Sequence, residues 1–164
     1  EDALAIKDGP VAIRWAKTPA PHVGWDEVGW GLSARQVTVA AAERTVCLLG
    51  AGKMLAATVE AAELLAADGI HATVWDPRCI RPLDEAMLDD AAGHRLVVTV
   101  EDGFREGGFG TGVLDDLSSR SPMTEVAVLG VPVAHHPHGK VDELLASFGL
   151  DGPGIATTVR NRLG

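Results

Sequence analysis

Two arginines stand in a short loop where they could bind an anion. Arg78 and Arg81 lie between two prolines, directly after the apolar run HATVWD at 71–76. Proline restricts the backbone, and a guanidinium held at the carboxyl end of a strand can grip phosphate or carboxylate through two parallel hydrogen bonds. The alternative is that the arginines only form ion pairs with nearby acids, namely Asp76, Asp84 or Glu101. The residue types alone leave both interpretations open.

A glycine-rich turn farther along the chain begins at an acid. In VVTVEDGFREGGFGTG, residues 97–112, four apolar or β-branched residues precede Glu101 and five glycines follow it. The run predicts a buried parallel strand, and the glycines permit tight turning and close packing before the next helix. Open α/β sheets present functional groups where such strands end. Glu101 is therefore a candidate contact at the sheet edge, as is His138 in the later loop HHPHGK.

The turn Gly50-Ala51-Gly52 follows an apolar run and precedes a helical pattern, as a dinucleotide fingerprint does. The third glycine of that fingerprint would fall at Leu55, although Asp76 ends the next apolar run where a ribose-binding acid would stand. The match is partial, and packing alone often requires Gly-x-Gly at such a turn. A nucleoside-triphosphate loop is excluded, because Cys47 replaces its first glycine and Met54 its magnesium-binding hydroxyl residue.

The remaining histidines and cysteines indicate neither a metal site nor nucleophilic catalysis. Three histidines lie within residues 135–138, but neighbouring histidines on an extended loop point apart, and Pro137 restricts them further. No cysteine has a partner at zinc-ligand spacing, and no Ser-His-Asp, Cys-His or His-Glu-x-x-His signature occurs. His94 is expected in a surface or satisfied polar position. The sequence therefore predicts no metal ligand and no catalytic residue.

Alternating apolar runs and helical patterns must position these residues. Buried strands are predicted at 45–50, 71–76, 96–101 and 125–132, and helices at 53–68, 83–92, 109–118, 141–148 and 154–163. Asp84 is a candidate N-cap for the second helix. Before them, the pattern predicts the tail of a helix at 1–8, a short strand VAIRW at 11–15 and a linker at 16–35. The predicted fold is three-layer α/β, with helices on both faces of a mostly parallel sheet whose strand order stays open.

Composition narrows the function classes. The 164 residues carry a formal charge of −9, which argues against a nucleic-acid interface, and no apolar run approaches the roughly 18 residues that cross a bilayer. Cys47 and Cys79 read as reduced thiols, which favours a cytoplasmic protein, although nothing sets the reactivity of Cys79 beside Arg78. Because the chain starts at Glu1 without a methionine, we expect a fragment or a processed chain. Because an isolated domain has little use for the linker predicted at 16–35, we expect the chain to begin inside a preceding domain.

Motifs along the chain resemble the carboxyl-terminal part of one enzyme family, the 1-deoxy-D-xylulose-5-phosphate synthases. They occur in that family's order and cover nearly the whole chain: GPVAIRW (9–15), LLGAGKM (48–54), TVWDPRCIRPLD (73–84), VVTVEDGFREGGFG (97–110), LGVPVAHHPHGK (129–140) and FGLDGPGI (148–155). The strand–PLD and VEDG–GGFG blocks are shared across the transketolase superfamily. The His-Gly-Lys block and the Leu-Asp-x-x-Gly-Ile ending are similar to the synthases in particular.

This resemblance implies a homodimeric thiamine-diphosphate enzyme that condenses pyruvate with D-glyceraldehyde 3-phosphate and releases carbon dioxide, at the start of non-mevalonate isoprenoid synthesis. It implies that residues 1–35 are the end of a pyrimidine-binding domain and a linker. Residues 36–164 would be the transketolase C-terminal-like α/β domain. Thiamine diphosphate and Mg²⁺ would be bound mainly by domains absent from this chain, so this part alone is expected to be inactive.

The resemblance also implies roles for individual cations. Arg14 matches the first arginine of the family block G-P-x-A-x-R-Y-P-R-G, and Arg78 matches the arginine before the P-L-D block. Both would hold the phosphate of the aldehyde. The second arginine of the first block is Lys17 here, and a lysine is a point charge rather than a bidentate fork, so Lys17 is a weaker third candidate.

Other functions stay open at this point. A 2-oxo-acid dehydrogenase β-subunit or a transketolase would share the P-L-D and glycine-rich blocks. A stand-alone module that binds an anion or a protein partner is a second alternative, and a nucleotide-binding Rossmann domain is a more distant one.

Overall fold

A five-stranded sheet forms the centre of the computed structural model, which describes residues 2–17, 22, 24, 31–40 and 43–164. The strands are β1 (Arg35–Thr38), β2 (Val46–Gly50), β3 (Ala72–Asp76), β4 (Leu96–Phe104) and β5 (Glu125–Val131). Their spatial order is β1-β3-β2-β4-β5. Strands β2 to β5 run parallel, so their carboxyl ends meet at one edge of the sheet. The strand β1 pairs antiparallel with β3, which places Arg35 opposite Asp76 at that same edge.

Helices cover both faces of the sheet. The helices of the described residues are α1 (Asp2–Ala5), α2 (Met54–Ala67), α3 (Glu85–Ala92), α4 (Phe109–Arg120), α5 (Val141–Ser147) and α6 (Gly152–Leu163), of which α1 buries no side chain. Buried side chains of α2 and α6 form one core with the sheet, and those of α3 and α4 form a second core on the opposite face. No helix among the described residues has the length and apolar character needed to cross a membrane. The predicted three-layer α/β fold is confirmed.

Local signals in the sequence account for the helix ends. The side chain of Asp84 accepts a hydrogen bond from the Met87 amide at 2.9 Å, which confirms the predicted N-cap of α3. At the end of α2 the chain reverses through Gly69, whose φ of +78° is left-handed and costs glycine little. The five helices predicted between residues 53 and 163 all form, within two residues of their expected limits.

The amino-terminal part of the domain differs from the prediction. VAIRW at 11–15 is not a strand: within the described residues it pairs with no other segment and its side chains are exposed. β1 was not predicted, because RQVT carries one apolar residue, Val37, and forms a mostly exposed edge strand with little apolar signal. Most of the linker predicted at 16–35 lies outside the described residues. The boundary between 1–35 and 36–164 stays a prediction, although the sheet already includes Arg35.

Candidate functional site

The carboxyl edge of the parallel strands carries the predicted site residues, and Glu101 is the most buried of them. Its side chain, on a residue 7% exposed, turns into the amino terminus of α4. One carboxylate oxygen accepts from the Phe109 amide at 3.1 Å and the other from the Gly110 amide at 3.0 Å. A β-carbon at Gly108 would overlap both oxygens, so the glycines of this turn make room for the carboxylate. Glu101 therefore ties β4 to α4, where a negative charge also complements the helix dipole.

The next residue, Asp102, joins two cations at the same edge. Arg14 donates from Nη1 to Asp102 Oδ1 at 2.6 Å, and Lys53 Nζ lies 3.6 Å from Asp102 Oδ2. Burial would raise the pKa of Asp102, but the hydrogen bond and charge of Arg14 and the charge of Lys53 outweigh it and hold the pKa below its usual value. Asp102 is 14% exposed at its side chain, whereas Arg14 is 74% exposed. Arg14 can therefore reach solvent or a ligand from an anchored position.

Arg78 lies two strands away, immediately after β3. Its φ of +56° is left-handed, a conformation that costs a residue with a β-carbon on the order of 1–3 kcal/mol. The Arg78 amide donates to Asp76 Oδ1 at 3.2 Å, and its guanidinium donates to the Ser33 carbonyl at 3.4 Å. Burial raises the pKa of Asp76, opposed by that amide and by the charges of Arg35 and Arg78. The left-handed backbone thus places Arg78 at the carboxyl edge of the sheet, directly after β3.

Together these cations form a row, here called the cation row: Arg78 after β3, Lys53 after β2, and Arg14 paired with Asp102 of β4. Adjacent strands are roughly 4.8 Å apart, so the three strand ends at which the row stands extend over about 10 Å. Sequence reasoning identified Arg14 and Arg78 and missed Lys53. The signal was available, since Lys53 follows the glycine turn at the end of an apolar strand and so must stand at this edge.

The other predicted contacts are placed differently. Lys17 is exposed beyond Arg14, and His138 is exposed in the loop that follows β5. His136, by contrast, packs its ring on Phe148 with centroids 4.6 Å apart and shares a hydrogen bond of 2.8 Å with the Pro132 carbonyl. Arg81 lies against α4, where a β-carbon at Gly112 would come within 2.9 Å of its guanidinium. The guanidinium of the exposed Arg81 therefore lies against α4 at Gly112.

The glycines at 50–52 also have a packing explanation. A β-carbon at Gly50 would lie 2.5 Å from the Thr58 hydroxyl oxygen, so this glycine lets α2 approach the strand. Gly52 has a φ of +59°, which the turn requires. Both positions are thus explained without a nucleotide.

A second group of polar side chains lies at the opposite end of the strands. Possible ligand atoms of Cys47, Asp90 and His94 lie within 4.8 Å of one another, and this is the one group of three potential metal ligands found within the described ranges. Burial raises the pKa of the Cys47 thiol well above its usual value; the charge of Asp90 raises it further, and that of Arg44 lowers it. Nothing in the sequence spacing signals this group, because Cys47 and Asp90 are 43 positions apart.

Comparison with protein families supports the motif analysis. A family model described as the transketolase C-terminal domain matches residues 35–155. The 1-deoxy-D-xylulose-5-phosphate synthase of Magnetococcus marinus is 36% identical over 94% of this chain, and that of Leifsonia xyli is 39% identical over 94%. Synthase 1 of Kitasatospora griseola is 38% identical over 94% of the chain. The chain spans about a quarter of these relatives, between 24% and 25% of their length.

Solved structures share the fold. A split-gene transketolase, described as an inactive beta4 tetramer, matches 88% of this chain and 46% of its own with a TM-score of 0.73 and 26% identity. A transketolase variant from Pichia stipitis matches 79% of this chain and 18% of its own with a TM-score of 0.56 and 16% identity, a likeness of fold alone. The family model and the synthase relatives confirm the resemblance that the motifs indicated, and the solved structures confirm the fold.

Proposed function

Since the chain belongs to the transketolase C-terminal domain family, we propose that it is the carboxyl-terminal domain of a 1-deoxy-D-xylulose-5-phosphate synthase. In that enzyme, this domain supplies cations that hold the phosphate of D-glyceraldehyde 3-phosphate, while the condensation with pyruvate takes place on the other domains. The names of the relatives support the enzyme class. The cation row supports the role of the domain.

The observation that carries the role is the position of the row. Arg14 and Arg78 are distant in sequence, yet both stand at the carboxyl edge, with Lys53 between them. Guanidinium groups bind phosphate through paired hydrogen bonds, and the lysine adds a point charge. Asp102 already holds Arg14 and Lys53 in place, so their order does not have to be created when a phosphate arrives. Lys17 is a weaker member of the same site.

The cofactor is proposed to bind elsewhere in the polypeptide. Mg²⁺ prefers six oxygen ligands at about 2.0–2.1 Å, whereas the group at Cys47, Asp90 and His94 offers a thiol and an imidazole. These residues do not fit a magnesium–diphosphate site. We assign thiamine diphosphate and Mg²⁺ to the preceding domains, which are also the partners of this domain in a cytoplasmic homodimer.

Replacement of Arg78 in the longer polypeptide tests the proposal. A charged hydrogen bond contributes about 1.5–3 kcal/mol, so Arg78→Ala should raise KM for D-glyceraldehyde 3-phosphate by roughly 10- to 100-fold. Alanine leaves the left-handed backbone about as strained as arginine does, so the substitution tests the loss of the guanidinium charge without a change in backbone strain. The matched control is Arg162→Ala, which removes an arginine paired with Glu125 at the start of β5. Activity with unphosphorylated D-glyceraldehyde should not change in either variant, and an equal loss with that substrate would contradict the phosphate role.

Substrate assays separate the alternatives. Turnover of pyruvate plus the aldehyde phosphate supports the synthase, whereas dependence on a ketose donor indicates a transketolase and dependence on a lipoyl partner a dehydrogenase subunit. The intact mass of the native protein tests the remaining alternative, a stand-alone binding module. A native chain of this length would favour a stand-alone binding module.

A further inference from the structure

The polar group at the amino ends of the strands has the composition of a metal site. We propose that Cys47, Asp90 and His94 bind a thiophilic divalent cation of the zinc class. The three residues come from β2, from α3 and from the turn before β4. They lie at the sheet edge opposite the cation row, so this inference is independent of the proposed function.

The orientation of His94 supports the assignment. His94 Nδ1 lies 2.8 Å from the Asp90 carbonyl oxygen, which can only accept, so Nδ1 carries the hydrogen and Nε2 keeps its lone pair. The Thr73 hydroxyl accepts from the Ala40 amide at 3.1 Å and, 3.2 Å from Nε2, donates its own hydrogen to that lone pair. A cation at Nε2 therefore replaces this hydrogen bond, whereas the bond from Nδ1 to a carbonyl oxygen is one that metal-binding histidines commonly keep. The imidazole is therefore already in the tautomer that a cation at Nε2 needs.

Hydrogen bonds and an ion pair also fix the position of the Asp90 carboxylate. Its Oδ2 accepts from Trp75 Nε1 at 2.9 Å and from Gln36 Nε2 at 3.4 Å, and its Oδ1 lies 3.4 Å from Arg44 Nη1. An ionised carboxylate has about four lone-pair sites, so these contacts leave capacity for a cation. These contacts also orient the carboxylate, as hydrogen-bond partners of metal-binding side chains commonly do.

The third ligand and the space for the cation complete the site. Cys47 is fully buried, and thiolate sulfur favours zinc over magnesium or calcium. Zinc bonds of about 2.0–2.3 Å bring tetrahedral ligand atoms to roughly 3.3–3.7 Å from one another, so the present donors need to approach by about 1 Å. A cavity of about 240 Å³ lies on the side of Asp90 and His94 and gives room for a water as fourth ligand, whereas Cys47 does not line it and would reach the cation from the core.

The ligands offset the charge of the cation when it binds. The Cys47 thiol loses its proton to solvent as the sulfur–metal bond forms, and no electron is transferred. The resulting thiolate and the Asp90 carboxylate offset the two positive charges of the cation, and the imidazole stays neutral; with Arg44, 3.4 Å from Asp90 Oδ1, the group carries one positive charge. The bound cation would then cross-link β2, α3 and the turn that leads into β4.

Cobalt is the probe, because Co²⁺ takes zinc sites and reports its ligands in its absorption spectrum. Titration of the full 164-residue chain with Co²⁺ should show one equivalent bound, a thiolate-to-cobalt charge-transfer band and visible bands of four-coordinate geometry, all displaced by Zn²⁺. At a free Zn²⁺ concentration of about one hundred times Kd, the melting temperature should rise by about 5–10 °C.

Two single-cysteine variants identify the ligand. Cys47→Ser should abolish the charge-transfer band, and the matched control Cys79→Ser should retain it, because Cys79 lies in the loop after β3 and donates to the Arg81 carbonyl. A band that survives in Cys47→Ser would overturn the proposal, as would its absence from the parent chain at saturating Co²⁺. Should Cys47→Ser fail to fold, X-ray absorption of the Zn²⁺-loaded Cys79→Ser variant decides, because Cys47 is then the one cysteine of the chain. One sulfur neighbour supports the site, and a shell without sulfur refutes it.

Discussion

Glu101 makes the contact whose loss has the clearest expected cost. In Glu101→Gln the side chain keeps one carbonyl oxygen for the two amides of Phe109 and Gly110, and its NH2 group then faces the other amide. A buried donor without a partner costs about 1–3 kcal/mol, and loss of a negative charge at a helix amino terminus costs a further 0.3–2 kcal/mol or so. We therefore expect Glu101→Gln to lower the free energy of unfolding by about 2–4 kcal/mol.

Urea unfolding followed by circular dichroism measures this effect, and amide hydrogen exchange localises it to Phe109 and Gly110 at the start of α4. The corresponding shift in melting temperature is about 5–12 °C for a domain of this size. Glu106→Gln is the matched control, because Glu106 is exposed and its ion pair is with the neighbouring Arg105, so a change much smaller than that of Glu101→Gln is expected. If Glu101→Gln unfolds at the same urea concentration as the parent, the two amide contacts do not stabilise α4 and the reasoning fails.

Further predictions concern two buried hydroxyls, two carboxylates and the activity of the chain. Thr99→Val should stabilise the protein by about 0.5–1 kcal/mol, because the buried Thr99 hydroxyl has no hydrogen-bond partner among the described residues. Thr58→Val should destabilise it by a similar amount, because it removes the 2.8 Å hydrogen bond from the Thr58 hydroxyl to the Met54 carbonyl. The midpoints of urea unfolding measure both effects. Asp76→Asn should raise the melting temperature at neutral pH, because the raised pKa of Asp76 means that the fold disfavours its charge, and the gain should vanish as pH falls through that pKa. Asp102→Asn should lower the melting temperature at neutral pH, because the lowered pKa of Asp102 means that its charge stabilises the fold above its ordinary pKa of about 3.9. This contribution is lost as the pH falls through the pKa of Asp102 in the folded protein. If the melting temperatures of either variant and of the parent changed with pH in parallel, the reasoning for that variant would be wrong. The isolated chain should show no turnover of pyruvate and the aldehyde phosphate, and any turnover above a no-protein blank would refute the division of labour proposed above.

Apolar patterning was enough to predict the parallel strands and the helices between them. The runs around Leu48, Val74 and Val98 are buried on both faces of the sheet, so their signal is continuous and hard to mistake. β1 gave no such signal, since an edge strand needs few apolar side chains. Its existence depends on pairing with β3, which the local sequence does not encode.

The candidate site was only partly predictable for a similar reason. Arg78 was found because two prolines and a strand end mark its loop. The contact between Arg14 and Asp102 joins residues 88 positions apart, and no local pattern reports such a pair. The group at Cys47, Asp90 and His94 was missed because sequence rules for metal sites search for short ligand spacings, whereas this group is assembled by the sheet.

The antiparallel direction of β1 determines where the preceding chain reaches the domain. Because Arg35 stands opposite Asp76, the backbone enters the sheet at its carboxyl edge, beside the cation row. A parallel β1 would have delivered the same chain to the far edge. The segment that carries Arg14 is therefore joined to the sheet at the same edge as its partner Asp102. This covalent connection lowers the entropic cost of forming the Arg14–Asp102 pair, whereas a peptide of residues 2–17 added separately would meet the full cost of association.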